Sequence, residues 1–112
     1  MVNQALIQEI TRLHADFCSA LADSTRLILL YALADEPRNV TELTQVLNQP
    51  QPTISRHLKI LRDRGLVLAT RQGMTVEYTL ADHRVIDALD ILRSIMRDTI
   101  QKRASMLENV SA

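Results

Sequence analysis

The residues whose types and spacing best suit directed hydrogen-bond chemistry are Thr53, Ser55, Arg56, Lys59 and Arg62.

 On a helix these five share the face opposite Ile54, Leu58 and Leu61, which follow one another at spacings of four and three. All five are hydrogen-bond donors and three are cations. Short donors of this kind reach base edges in a major groove, and cations beside them meet phosphates. From Gln51 to Gln72, Arg56, Lys59, Arg62, Arg64 and Arg71 face a single acid, Asp63, whereas the whole chain balances 13 Lys and Arg against 13 Asp and Glu. Positive charge is therefore concentrated here, unlike the general basicity of a nonspecific nucleic-acid binder. An ordinary solvated helix face explains the cations but not their confinement.

The neighbouring residues say how such a face would be held. Pro52 suits a first helical turn, Gly65 suits the position just past the end, and Gln51 is the expected N-cap. Leu66–Arg71 and Thr75–Leu80 are short, β-branched-rich runs joined by Gln72, Gly73 and Met74, a hairpin signal. Upstream, Asn39 followed by Glu42 is a capping-box pattern opening a short helix with Leu43, Val46 and Leu47 inward. Asn48, Gln49 and Pro50 then make the turn into the donor-bearing helix. Asp35 to Arg38 reads as a turn, and Asp23 as the N-cap of a helix through Arg26, Leu27, Leu30 and Leu33.

In order and spacing, Asp23-Ser-Thr-Arg-Leu-Ile-Leu-Leu30, Val40-Thr-Glu-Leu43, Thr53-Ile-Ser-Arg-His-Leu58, Leu61-Arg-Asp-Arg-Gly-Leu66 and Arg71-Gln-Gly73 with Glu77-Tyr78 resemble the ArsR/SmtB family of bacterial transcriptional repressors. Each fragment is weak alone; the ordered set, covering roughly Phe17 to Asp82, is specific. The resemblance implies a mainly α fold with a small β-hairpin, a winged helix-turn-helix that dimerises through its N- and C-terminal helices. It also implies a structural or phosphate contact for Arg26, for which the residues themselves suggest an ion pair with a nearby carboxylate.

The expected organisation is a single domain over residues 1–112, with residues 39–65 as the helix-turn-helix and 66–80 as the wing. Residues 1–21 and 82–110 are the expected dimerisation helices, the second capped by Asp82. Leu6, Ile10, Leu13 and Phe17 mark one face of the first, and Leu89, Leu92, Met96 and Ile100 one face of the last. Apolar residues spread over more than half the girth of the last helix, which should pack against the first helix and against a second copy. Two copies related by a two-fold axis would read a palindrome with half-sites about one turn apart. Gln51, Thr53, Ser55 and Arg56 are assigned to base edges, with Arg56 suited to guanine and Gln51 to adenine. Lys59, Arg62 and Arg71 are assigned to phosphates, Gln72 to the minor groove or backbone, and Gly73 to the wing turn. His57 lies beside the apolar stripe and reads as structural.

Other chemistry finds little support. There is no P-loop, no glycine-rich phosphate cradle and no interpretable nucleophile–base pair, and His14, His57 and His83 fall on separate elements. No enzyme activity and no cofactor are expected. A thiolate-rich metal site needs at least two cysteines, and Cys18 is the only one. The terminal-helix zinc site of some relatives would fall on Asp82, Arg84, Ile95 and Asp98, of which Arg84 and Ile95 cannot ligate. His14 and Cys18, four apart on one helix face, are the remaining metal candidates. Their plainer reading is a surface histidine and a small buried cysteine. With 46% apolar but only 3% aromatic residues, the core must be aliphatic. No apolar run approaches the ~20 residues of a membrane span, and no signal-peptide h-region opens the chain. A cytoplasmic location follows as an expectation, with double-stranded DNA and a second copy as partners and the effector unspecified. The competing reading is a winged-helix protein-interaction module without DNA binding.

Overall fold

The computed structural model describes residues 1–111, with side chains through Asn109. Two compact units divide the chain at Asp82 and His83. The first contains four helices and a three-stranded antiparallel sheet: α1 (Gln4–Ser19), α2 (Ser24–Asp35), β1 (Arg38–Asn39), α3 (Val40–Leu47), α4 (Gln51–Asp63), β2 (Val67–Gln72) and β3 (Thr75–Leu80). The second is one long helix, α5 (Arg84–Ser111). Among the described residues, no single helix is long and apolar enough to cross a membrane.

The core of the first unit is aliphatic, as the scarcity of aromatics demands. Leu29 and Leu30 of α2, Leu43 of α3, Ile54, Leu58 and Leu61 of α4 and Val67 of β2 are all fully buried. Removing such side chains from water is what holds three short helices and a small sheet together. Val46, expected inside, is instead half exposed, because the eight-residue α3 turns only Leu43 fully inward.

Local chemistry sets most of the element ends. The Asp23 carboxylate accepts the Arg26 N–H at 3.1 Å and caps α2. At α3, Asn39 Oδ1 accepts the Glu42 N–H at 2.8 Å while Glu42 Oε1 accepts the Asn39 N–H at 3.0 Å. Asn39→Ala removes one half of this reciprocal cap and is expected to cost about 1 kcal/mol, read as a lower urea midpoint at unchanged slope.

The expected start of α4 is corrected by one residue. Pro50, not Gln51, is the N-cap: its backbone is extended and its carbonyl accepts the Ile54 N–H at 3.1 Å, leaving Gln51 and Pro52 inside the first turn. Asn48 reverses the chain before it in the left-handed region, at φ 52°. At the far end Gly65 takes φ 78°, and the N–H groups of Leu66 and Gly65 donate to the carbonyls of Leu61 and Arg62 at 2.9 and 3.0 Å. This pair of bonds is a Schellman ending, which requires the positive φ that glycine adopts without strain.

The hairpin is tighter than its sequence suggests. Gln72 pairs with Thr75, so Gln72 belongs to β2 and only Gly73 and Met74 form the turn. Gly73 has φ 64° and Met74 has none in the positive region, the φ pattern of a type II′ turn. β3 is the central strand, flanked by β2 and by the two-residue β1, whose Arg38 and Asn39 pair with Tyr78 and Glu77. Arg38 was expected in a turn; pairing with β3 draws it into the sheet, and its Nε donates to the Ala32 carbonyl at 3.1 Å.

The first helix is shorter than the expected 1–21: it starts at Gln4, capped by Asn3, and ends at Ser19, with Ala20 and Leu21 in the turn that follows. Its middle, Ile10–His14, is a π-helical turn, in which the Ala15 N–H reaches back to the Ile10 carbonyl. In α1 Leu6 is half-buried, whereas Ile10, Leu13 and Phe17 are exposed. α5 begins at Arg84, two residues after the expected cap Asp82. At 1.5 Å per residue, its 28 residues extend for about 42 Å. Leu89 is buried, and Ile91, Leu92, Ile95, Met96, Ile100, Met106 and Leu107 are exposed.

Candidate nucleic-acid interface

Helix α4 separates its two faces cleanly. Ile54, His57, Leu58 and Leu61 are buried, while Gln51, Ser55, Arg56, Lys59 and Arg62 are exposed and Thr53 is half-buried. The burial of the aliphatic stripe therefore fixes which way the donors point. Pro50 offers no side chain to cap the helix, and its first turn contains no acid. The positive end of the helix dipole is thus left uncompensated, a favourable place for an anion.

The cations do not all stand alike. Lys59 Nζ lies 3.1 Å from Asp63 Oδ2, an i,i+4 pair on an exposed surface. Arg64 pairs with Asp16 of α1 at 3.4 Å, which turns it away from the donor face. Among the described residues, Arg56, Arg62 and Arg71 make no ion pair, so their donors are uncommitted. Arg71 and Gln72 end β2 and Gly73 turns the hairpin, all three exposed. The tip is thus cationic and accessible, with Met74 fully open beside it.

The turn before α4 is tied to α2 by the Gln49 side-chain amide, which donates to Thr25 Oγ1 at 3.2 Å. Beneath the donor face, Arg26 makes contacts that the sequence reading missed. Among the described residues, no carboxylate forms an ion pair with it. Its guanidinium instead donates to the main-chain carbonyls of Ala20, at 2.7 Å, and Ser19, at 3.5 Å, and stands 3.3 Å from the His57 ring. An arginine three residues after an N-cap gives no local sign of such long-range partners. His57 is buried, as the structural reading required, and burial pushes its pKa below the ordinary 6.5, against the opposing pull of Asp23. Asp23 is itself held below its ordinary 3.8, first by the hydrogen bond it accepts from the Arg26 N–H.

His14 is exposed and Cys18 half-buried in α1, and among the described residues no three His, Cys, Asp or Glu side chains gather as a metal-binding group.

Three α-helices in sequence, a turn-linked pair at their centre and a following two-stranded hairpin define a winged helix-turn-helix. Comparison with known proteins agrees. Residues 23–68 match the bacterial regulatory protein, arsR family. The chain is 37% identical over 92 residues to the arsenical resistance operon repressor of Escherichia coli, covering 81% of this chain and 79% of that protein. It is 40% identical over 86 residues to the HTH-type transcriptional repressor SmtB of Mycobacterium tuberculosis, covering 73% of this chain and 64% of that one. A solved homodimeric winged helix-turn-helix DNA-binding domain from Mycobacterium bovis superposes with a TM-score of 0.69 at 27% identity, over 88% of this chain and 92% of that one. The chain belongs to the arsR family. It spans between a half and two thirds of the length of several curated relatives, SmtB among them.

Proposed function

We propose that this protein is a homodimeric, sequence-specific DNA-binding repressor that occupies a palindromic operator and is released by a signal. The observation that carries the reading is the outward donor face of α4, seated on a fully buried Ile54–Leu58–Leu61 stripe and flanked by uncommitted arginines. In this reading α4 enters the major groove, with Gln51, Thr53, Ser55 and Arg56 toward base edges. Lys59, Arg62 and Arg71 meet phosphates, Lys59 after exchanging Asp63 for a phosphate oxygen, and Gln72 and Gly73 bring the wing to the backbone. The solved relative being a homodimer, and the two relatives being repressors, support the assembly and the direction of control.

Dimerisation follows from the apolar residues that α1 and α5 each leave exposed: Ile10, Leu13 and Phe17 on one, Leu92, Met96 and Ile100 on the other. Exposed apolar side chains repeated along a helix are a surface waiting for a partner, and a second copy satisfies the two-fold symmetry that a palindrome demands. Leu6 and Leu89 are assigned to the same interface, Leu6 being half-buried and Leu89 already buried in the single chain.

Selection of bound sites from a random DNA pool with the purified chain tests class and symmetry together. A motif of two inverted half-sites about one helical turn apart is the expected result. Recovery of no enriched motif would overturn the proposal.

A further inference from the structure

Resting on the DNA-reading role of α4, we propose that Arg26 and His57 act as positioning residues: the guanidinium links the carbonyl end of α1 to an unprotonated His57 ring and so sets the seat of the reading helix. Three contacts converge on one side chain. Nε donates to the Ala20 carbonyl at 2.7 Å, Nη2 to the Ser19 carbonyl at 3.5 Å, and Nη1 lies 3.3 Å from His57 Nδ1. A guanidinium has only donors, so Nδ1 must be the acceptor and the ring proton must sit on Nε2. The planar fork of arginine serves two helices at once, which a lysine point charge does not do. The cation also suits the negative end of the α1 dipole.

Protonating His57 removes that acceptor and sets a second cation against the first. The charged groups facing the ring are Arg26 of α2, its cap Asp23, and Arg56 of the ring's own helix. Asp23 Oδ1 is 4.0 Å from Nδ1 and is the oxygen that caps α2, so the ring gains a hydrogen bond there only by disturbing the cap. Arg56 is the adjacent residue and Ser55 the next, so a shift in the seat of His57 is felt directly by side chains assigned to base edges.

The sign is specific. Burial pushes the His57 pKa down, hence the folded chain favours the neutral ring. The stability contributed by the neutral ring is fully present above the ordinary pKa of 6.5 and is lost as pH falls through the lower folded value. DNA affinity should follow the same course, weakening on acidification. A surface histidine beside a phosphate would do the reverse.

The test follows the His57 ring by NMR in the full chain, together with affinity for the selected DNA site between about pH 5 and pH 8 at constant ionic strength. Affinity is expected to fall roughly tenfold as His57 protonates, and His57→Asn, which keeps an acceptor near Nδ1 but does not titrate, should abolish that step. Arg26→Lys should weaken binding across the whole range, with its helical content retained. Affinity that is flat or rises as His57 protonates, or an Arg26→Lys protein that binds like the parent, would overturn the proposal. Should His57→Asn fail to fold, Arg26→Lys decides the matter. If the parent chain selects no DNA at neutral pH, the reading role of α4 falls separately. The pair is then judged by amide exchange in the free chain. Loss of α4 protection at the His57 midpoint upholds the link between the helices, and protection indifferent to that midpoint refutes it.

Discussion

Leu58→Ala is expected to lower the unfolding free energy by about 2–5 kcal/mol, measured by urea denaturation at fixed protein concentration. The side chain is fully buried in the middle of α4, between Ile54 and Leu61 on the same stripe. Alanine forfeits its transfer free energy and leaves a cavity in the aliphatic core, which its neighbours fill only by moving. Domains of this size hold only about 5–15 kcal/mol in total, so the loss consumes a large share. The consequence for DNA reading is indirect but severe, because the same stripe aims Ser55 and Arg56. A loss below about 1 kcal/mol would mean that the stripe does not seat the helix as described. Concentration must be held constant because a dimer gains apparent stability by mass action.

Arg56→Ala is expected to cost about 1–3 kcal/mol of operator binding, roughly a 5- to 150-fold loss, and to relax the preference at one base pair. Arg62→Ala should instead weaken all sequences alike and flatten the dependence of affinity on salt by about one counterion. Both are exposed cations on the same helix that make no ion pair among the described residues, so they differ chiefly in where along it they stand. Arg56 lies nearer the N-terminal end of α4, which the proposed complex puts in the groove, and Arg62 nearer its C-terminal end. Binding titrations at several salt concentrations, with the selected site and with a sequence mutated at one position, separate the effects. Equal losses with equal salt slopes for both variants would erase the division between base and phosphate contacts.

Features set by neighbours in the chain were legible in advance. The Asn39–Glu42 box, the Asp23 cap, the Gly65 stop and the Ile54–Leu58–Leu61 stripe each depend on residues three or four apart, and each is present. What could not be read depends on distant partners. β1 is two residues long, too short for any alternation, and exists because β3 offers it pairing groups. Arg26 reaches a ring 31 positions away, and no spacing rule anticipates that. The cap of α4 was displaced by one residue because a proline carbonyl can open a helix without help from its side chain. The assigned contact residues were recoverable as a face, since Thr53, Ser55, Arg56, Lys59 and Arg62 do lie opposite the buried stripe. Which of them touches a base is a property of the complex.

The double duty of Asn39, strand partner of Glu77 and cap of α3, constrains how this architecture can change length. Extra residues at the Gly73–Met74 tip lengthen the hairpin beyond the point where β1 attaches and leave the Asn39 box untouched. An insertion between Glu77 and Leu80 slides the central strand past β1, inverts its faces and pulls on the first turn of α3. Homologues should therefore vary at the tip and keep the root at constant length, so that the reach of the hairpin can be retuned to a new operator without rebuilding the helices behind it.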